Sequence, residues 1–239
     1  MGYGYGYGRM MYGYGFDPMY IVVIIMGILC MIASYRVSSV YKKYERIRSM
    51  CGMTGAQVAA EILRRNGITD VMIQHVSGNL TDHYDPKAKV IRLSDATYNS
   101  SSVAAIGVAA HECGHVCQHY YGYAPLKIRT AIVPAANIGS KAGVPLILIG
   151  MLVSFSPLIT LGIWIFSLAV LFQLVTLPVE FDASHRALSM LEEYGILGYE
   201  EVRDSRKVLS AAAMTYVASA AAAVAQLLRL VLLNGRRRD

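Results

Sequence analysis

Long uncharged apolar runs alternate with polar segments along the chain. The first run, residues 19–35, has 17 uncharged residues, which is the lower limit for a membrane-spanning helix. Two further runs, 138–156 and 158–179, are separated by a short Ser-Pro turn. Ser156 is expected to cap the second of these helices, with Pro157 in its first turn. The pattern predicts a mainly α membrane protein with a transmembrane helical hairpin.

Between the apolar runs, the pattern predicts a small α+β region. Thr54 and Gln57 have the spacing of a capping box at the start of a helix. Two strand-like stretches, 70–77 and 89–94, lie on either side of the turn signal at Asp85. We expect a small β-hairpin or meander there, followed by a helix whose signals begin near Ser102.

The last apolar run, residues 208–233, is ambiguous. It is rich in alanine, and its weakly polar residues recur at helical spacing, so that one face suits close packing against protein. If the run crossed the membrane, the basic residues 236–238 would end outside, against the positive-inside rule. We therefore favour three spans, with this helix packed on the domain or lying at the membrane interface.

Composition supports a membrane protein, since 55% of the residues are hydrophobic and only 16% are charged. The net charge of +6 does not point to nucleic acid, because the basic residues cluster beside apolar runs and suit anionic lipid headgroups. The basic cluster after residue 35 predicts that this end of the first helix faces the cytoplasm. The four cysteines show no disulfide pattern, as expected on a reducing side of the membrane.

The chemistry is concentrated in the sequence HECGH, an H-E-x-x-H motif. His111 and His115 are four residues apart and therefore share one face of a helix, where two imidazoles can bind one Zn²⁺. Glu112 can reach a metal-bound water and act as the general base. Cys113 and Cys117 are expected to pack in the core.

A catalytic zinc needs a third protein ligand. The candidates later in the chain are His119, Glu180, Asp182 and His185. We favour Glu180, because a carboxylate is the usual partner of two histidines in hydrolytic zinc sites. His119 is less favoured, because it has rotated away from His111 along the same helix. Asp182, His185 and Arg186 follow Glu180 and could orient a ligand or hold the glutamate.

Several stretches together resemble the bacterial membrane zinc metallopeptidases of the YugP type. They are VAAHECGHVCQH, the following hairpin and LPVEFDASHRA, with MTGAQVAAEIL and DHYDPKAKVIRLS before them. The resemblance implies a gluzincin-like site with His111, His115 and Glu180 as ligands and Glu112 as the catalytic residue. The arrangement is also similar to the HtpX and CAAX-protease group, but Ser184 stands where that group usually has an aspartate.

The predicted layout has five parts. A Gly/Tyr-rich disordered tail (1–18) precedes a transmembrane helix (19–35), a zincin-like α+β catalytic region (36–137), a transmembrane hairpin (138–179) and a third-ligand segment with C-terminal helices (180–239). We expect a multi-pass protein of the bacterial plasma membrane, with its site on the cytoplasmic side.

The predicted function is a membrane-anchored zinc endopeptidase with one Zn²⁺ per chain, acting on membrane or membrane-proximal proteins or peptides. The alternative is a non-catalytic zinc-binding membrane scaffold. In zincin-like folds an edge strand pairs with an extended peptide, and residues 73–84 or 89–94 could provide it. Five residues are candidate donors to a transition-state oxyanion: His83, Tyr120, Tyr121, His185 and Tyr216.

Overall fold

The computed structural model describes residues 18–235, which are mainly helical. In chain order the elements are α1 (Pro18–Tyr44), α2 (Gly55–Arg65), β1 (Met72–Val76), β2 (His83–Asp85), β3 (Val90–Ser94), α3 (Asp95–Tyr98), α4 (Val103–Tyr120), α5 (Ala124–Leu152), α6 (Ser156–Glu193) and α7 (Tyr199–Gly235). The prediction of a mainly α membrane protein with a small sheet is confirmed. Most of the predicted Gly/Tyr-rich tail, 1–17, lies outside the described residues.

Helix α1 extends well beyond the apolar run that predicted it, from Pro18 to Tyr44. Its last turns contain Tyr41 and Tyr44, both 4% exposed, which pack against Ala104 and Val208. The Tyr41 hydroxyl donates a hydrogen bond of 3.1 Å to the Ala96 carbonyl oxygen. The last turns of α1 therefore pack against the helices and loops that follow the apolar run.

The predicted capping box of α2 is confirmed. The Thr54 hydroxyl accepts a hydrogen bond from the Gln57 backbone amide, and the Gln57 side chain accepts one from the Thr54 amide. Helix α4 is capped in the same way by Ser102, whose hydroxyl accepts from the Ala105 amide. Both helices begin where their local sequence predicts, because a cap is satisfied within a few residues.

The sheet has the strand order β1-β3-β2. Strands β2 and β3 form a hairpin, and the Asp85 carboxylate accepts hydrogen bonds from the Lys87 and Ala88 amides in its turn. The prediction that residues 70–77 and 89–94 form a hairpin or meander is wrong, because β1 pairs in parallel with β3. Strand β3 is therefore central, and β1 and β2 are the edges.

The helical hairpin is longer than predicted at both ends, because α5 begins at Ala124 and α6 continues to Glu193. Phe155 is the N-cap of α6, so Ser156 and Pro157 lie inside the first turn rather than at the cap and first position. Polar residues after the apolar run do not end the helix, and Glu180 lies within α6.

Helix α7 lies antiparallel to α1 over its length. Near its start the Lys207 ammonium is 5.6 Å from the Tyr44 ring, and near its end the Arg229 guanidinium is 5.1 Å from the Tyr20 ring. Within residues 18–235, four helices are long and apolar enough to cross a membrane, namely α1, α5, α6 and α7. Helix α7, which the sequence left ambiguous, thus meets the same requirement of length and apolar composition as the predicted spans.

Candidate metal centre

Helices α4 and α6 bring three side chains with metal-binding atoms together. The Glu180 Oε2 atom is 3.4 Å from His111 Nε2 and 3.6 Å from His115 Nε2. Among the described residues, these three form the group of histidine, cysteine and acidic side chains that could hold an ion, with ligand atoms all within 4.8 Å of one another. Ligand atoms around a tetrahedral zinc with bonds of about 2.0–2.1 Å lie about 3.3 Å apart. The donor set therefore fits zinc in both chemistry and spacing.

The contact between α4 and α6 depends on a glycine inside the motif. A Cβ atom added to Gly114 would lie 2.4 Å from the Ala183 carbonyl oxygen, so the backbones touch at this point. Gly114 lies between the two histidines, and Ala183 lies about one turn after Glu180. The close approach thus sets how near the glutamate comes to the imidazoles.

Each histidine has a partner on the ring nitrogen that points away from Glu180. His111 Nδ1 is 3.1 Å from the Ser184 hydroxyl, and His115 Nδ1 is 3.0 Å from Gln118 Oε1. An amide oxygen only accepts, so His115 donates from Nδ1 and keeps the Nε2 lone pair for a metal. The Ser184 hydroxyl can accept a hydrogen bond from His111 Nδ1, which would leave the His111 Nε2 lone pair for a metal.

Two of the three predicted orienting residues reach His115 through an intermediary. The Gln118 amide nitrogen donates 2.8 Å to Asp182 and 2.7 Å to the Val179 carbonyl oxygen. Arg186 in turn donates 2.6 Å to Asp182. Gln118, which is fully buried, was not identified from the sequence, although it lies one turn after His115 on α4.

The structure does not bring His185 to the metal centre. Its side chain is exposed and lines a separate cleft with Asn66 and Tyr194. His119 also lies outside the ligand group, and its Nδ1 atom is 3.2 Å from the Tyr84 hydroxyl. Both residues are on the correct helices but face other surroundings, which their spacing along the sequence does not reveal.

The two cysteines of α4 pack in the core, as their spacing suggested. Cys113 is fully buried and Cys117 is 2% exposed, within the cluster that contains Ile62 and Leu191. Burial raises the pKa of the Cys113 thiol well above its usual value and that of Cys117 to about 11. Neither thiol is poised to ionise as a ligand or nucleophile at neutral pH.

Acidic groups dominate the ligand cluster. Burial lowers the pKa of the His115 imidazole, but the nearby carboxylates of Glu180 and Glu112 outweigh it, so the pKa is raised. On the other side of Glu180, its Oε1 atom is 3.4 Å from the Arg129 guanidinium. The carboxylates of Glu112 and Glu180 favour a cation among the ligands. Arg129 comes from α5 and was not identified from the sequence.

Two cavities meet at the three ligands. One of about 410 Å³ and one of about 640 Å³ share five lining residues, which are Asp82, His111, Glu112, Glu180 and Tyr216. Glu112 is 7% exposed and borders both cavities. A chain passing from one cavity to the other would cross the ligand cluster beside Glu112.

The strand that borders this passage is β2, through His83 and Tyr84. The alternative that residues 89–94 form the peptide-binding edge is wrong, because β3 is paired on both sides. The parts of residues 73–84 that form β1 and β2 lie at the two edges of the sheet, and β2 is the edge beside the larger cavity.

Of the five candidate oxyanion donors, Tyr216 is the one that borders both cavities. It lines both cavities together with Glu180 and Glu112. Tyr120 and Tyr121 are more than half exposed, and His83 borders only the larger cavity. Tyr216 comes from α7, so its position depends on a helix pairing that the sequence did not specify.

This fold and this centre define a helical membrane protein with a His-His-Glu group suited to zinc. Residues 19–235 match the model of the family described as "Putative neutral zinc metallopeptidase", and the chain belongs to that family. The chain is 47% identical over 206 residues to "Putative membrane protease YugP" of Bacillus subtilis (strain 168), covering 85% of this chain and 92% of the relative. No solved structure matches the chain. The resemblance inferred from the motifs is confirmed.

Proposed function

We propose that this protein is a zinc-dependent endopeptidase that hydrolyses peptide bonds beside the cytoplasmic face of the membrane. The observation that carries the proposal is the convergence of His111, His115 and Glu180 next to the buried carboxylate of Glu112. Two imidazoles and one carboxylate are the ligand set of hydrolytic zinc sites, which keep a fourth position open. Membership of a zinc metallopeptidase family supports the same reading.

When bound, zinc supplies Lewis acidity, which lowers the pKa of a coordinated water and polarises a carbonyl group. Glu112 accepts a proton from the attacking water while the water oxygen forms a bond to the carbonyl carbon. Glu112 then delivers that proton to the amide nitrogen as the carbon–nitrogen bond breaks. The second proton of the water passes from the new carboxyl group to the amine, so the products are a carboxylate and an ammonium group, and the glutamate returns to its initial state.

Tyr216 and Arg129 approach the centre from α7 and α5. The Tyr216 hydroxyl is the candidate donor to the oxyanion that develops on the carbonyl oxygen. Arg129 holds the Glu180 oxygen that faces away from the histidines, and so fixes the orientation of the carboxylate. Together they provide the charge and hydrogen bonding that a tetrahedral transition state requires.

The proposed substrates are peptide segments close to the bilayer. Basic residues follow the apolar run of α1, which favours placing this end and the attached centre in the cytoplasm. In vesicles containing the enzyme, a target sequence attached to a membrane anchor should be cleaved faster than the same sequence free in solution. Equal rates would remove the membrane-proximal part of the proposal.

The central experiment measures zinc content and peptidase activity on detergent-purified wild type, Glu112→Gln and Glu180→Ala. Wild type should hold one zinc per chain and cleave. Glu112→Gln should retain zinc and lose activity, because only the general base is removed, whereas Glu180→Ala should lose zinc. If zinc-loaded wild type cleaves no peptide and Glu112→Gln still complements a deletion strain, the scaffold alternative replaces the peptidase.

A further inference from the structure

We infer that the smaller cavity binds a large apolar side chain of the substrate next to the scissile bond. This α1–α7 cavity is walled, apart from the ligand cluster, mainly by six apolar residues: Val37, Leu80, Val108, Leu209, Ala212 and Ala213. The inference rests on the proposed peptidase function and adds a substrate class to it.

The continuity of the cavity with the metal centre suits a substrate side chain. Its volume is about 410 Å³, which lies within the range of ligand pockets, commonly about 300–1,000 Å³, and leaves room for a large apolar side chain. It is continuous with the metal centre, since His111, Glu112 and Glu180 form part of its wall. A peptide whose carbonyl group lies at the centre would therefore place an adjacent side chain in this space.

The charges around the two cavities differ. Lys87 and Arg129 line the larger cavity, whereas no lysine or arginine lines the α1–α7 cavity among the described residues. Asp82 borders both, but its two oxygens accept hydrogen bonds from the Ser94 amide and hydroxyl, at 2.8 and 2.9 Å. An acidic substrate side chain would find no lysine or arginine partner in the smaller cavity and would lose its hydration there.

The wall formed by α1 indicates where the bound segment comes from. Ser34 lies in the last turn of the apolar run of α1, and Val37 lies just beyond Arg36. The cavity is thus level with the point where α1 changes from apolar to basic. A peptide segment at the bilayer surface, where apolar residues are plentiful, can enter it without leaving the membrane boundary.

The test uses internally quenched peptides that differ only in the residues flanking the cleavage point, with Ala, Leu or Phe at each position. Wild type should prefer Leu or Phe over Ala on one side of the bond by about 10-fold or more in kcat/KM. Ala212→Phe narrows the cavity and should abolish that preference by lowering kcat/KM for the Leu and Phe peptides about 10-fold or more. The matched control is Met214→Phe on the same helix, where the side chain is half exposed and lies outside the cavity lining.

A second variant acts in the opposite direction. Val37→Ala enlarges the cavity from the α1 side and should shift the preference from Leu towards Phe. Binding of the same peptides to zinc-loaded Glu112→Gln, followed by fluorescence, should rank the peptides in the same order as wild-type kcat/KM, without turnover.

An unchanged Leu preference in Ala212→Phe, with zinc retained, would overturn the inference while leaving the peptidase intact. Failure of zinc-loaded wild type to cleave any peptide would overturn the proposed function, and this inference with it.

Discussion

At the residue scale, the centre depends on contacts between helices as much as on the motif. The spacing of His111, Glu112 and His115 is local, so the sequence predicts their shared helix face. Tyr216 and Arg129 belong to other helices, and nothing near them in the sequence marks them as neighbours of Glu180. Gln118 could have been found, because a polar residue one turn from a ligand histidine is a candidate to orient it.

Gly114 provides the sharpest residue-scale prediction. Gly114→Ala places a methyl group against the Ala183 carbonyl oxygen, which cannot retreat without moving α6. We expect a loss of about 1–3 kcal/mol in stability and at least a tenfold weaker affinity for zinc, measured by chelator competition. Gly27→Ala is the control, since a Cβ there meets nothing within 4 Å. Wild-type zinc affinity in Gly114→Ala would show that this contact does not set the ligand geometry.

Gln118 gives a second prediction, on the orientation of His115. Gln118→Leu removes the acceptor for His115 Nδ1 and leaves Asp182 and the Val179 carbonyl oxygen without this donor. Zinc affinity should fall about 10- to 100-fold, the range typical of groups that orient metal ligands. Gln74→Leu, at an exposed position of β1, should bind zinc as wild type does. Equal affinities in the two variants would exclude an orienting role for Gln118.

At the element scale, prediction succeeded where the determining signal is local. The starts of α2 and α4 follow from Thr54 and Ser102, which bond to amides three residues away. The parallel pairing of β1 with β3 depends on segments brought together by the fold, so the order of strand-like stretches could not reveal it. The length of α6 was underestimated because Glu180 was taken as a boundary, although charged residues are good helix formers.

The α5–α6 hairpin yields a prediction of its own. A Cβ at Gly162 would lie 2.6 Å from the Ile147 side chain and 2.9 Å from the Gly143 carbonyl oxygen, so the two helices pack backbone to backbone. Gly162→Val should lower the Tm in detergent while keeping one zinc, because Glu180 lies about 27 Å further along the helix. The exposed Leu161→Val is the control. An unchanged Tm in Gly162→Val would mean that this approach does not stabilise the hairpin.

At the scale of the whole molecule, the main question is the number of membrane crossings. The sequence favoured three, since a fourth would place residues 236–238 outside. In the structure α7 lies along α1 from Tyr44 to Tyr20, and Asn234 donates 3.2 Å to Thr160 near the start of α6. A helix that packs along two candidate spans is expected to cross the membrane with them.

We therefore predict four crossings, with the C-terminus on the outer side. Alkaline phosphatase fused after residue 235 should be active, as it should be when inserted at the turn between α5 and α6, whereas fusion in the loop after α1 should be inactive. Fluorescent protein fusions should show the reverse pattern. An inactive phosphatase at the C-terminus would restore the three-span topology.

The continuity of α6 has a mechanical consequence. At 38 residues it is about 57 Å long, which is enough to cross the roughly 30 Å hydrocarbon layer and to project well beyond it. Glu180 belongs to this helix, whereas His111 and His115 belong to α4, which is not among the candidate spans of the described residues. A thinner bilayer tilts a long helix further and would displace the glutamate relative to the histidines. We expect zinc affinity to vary with lipid acyl-chain length, so that the thickness of the membrane would regulate metal binding at this centre.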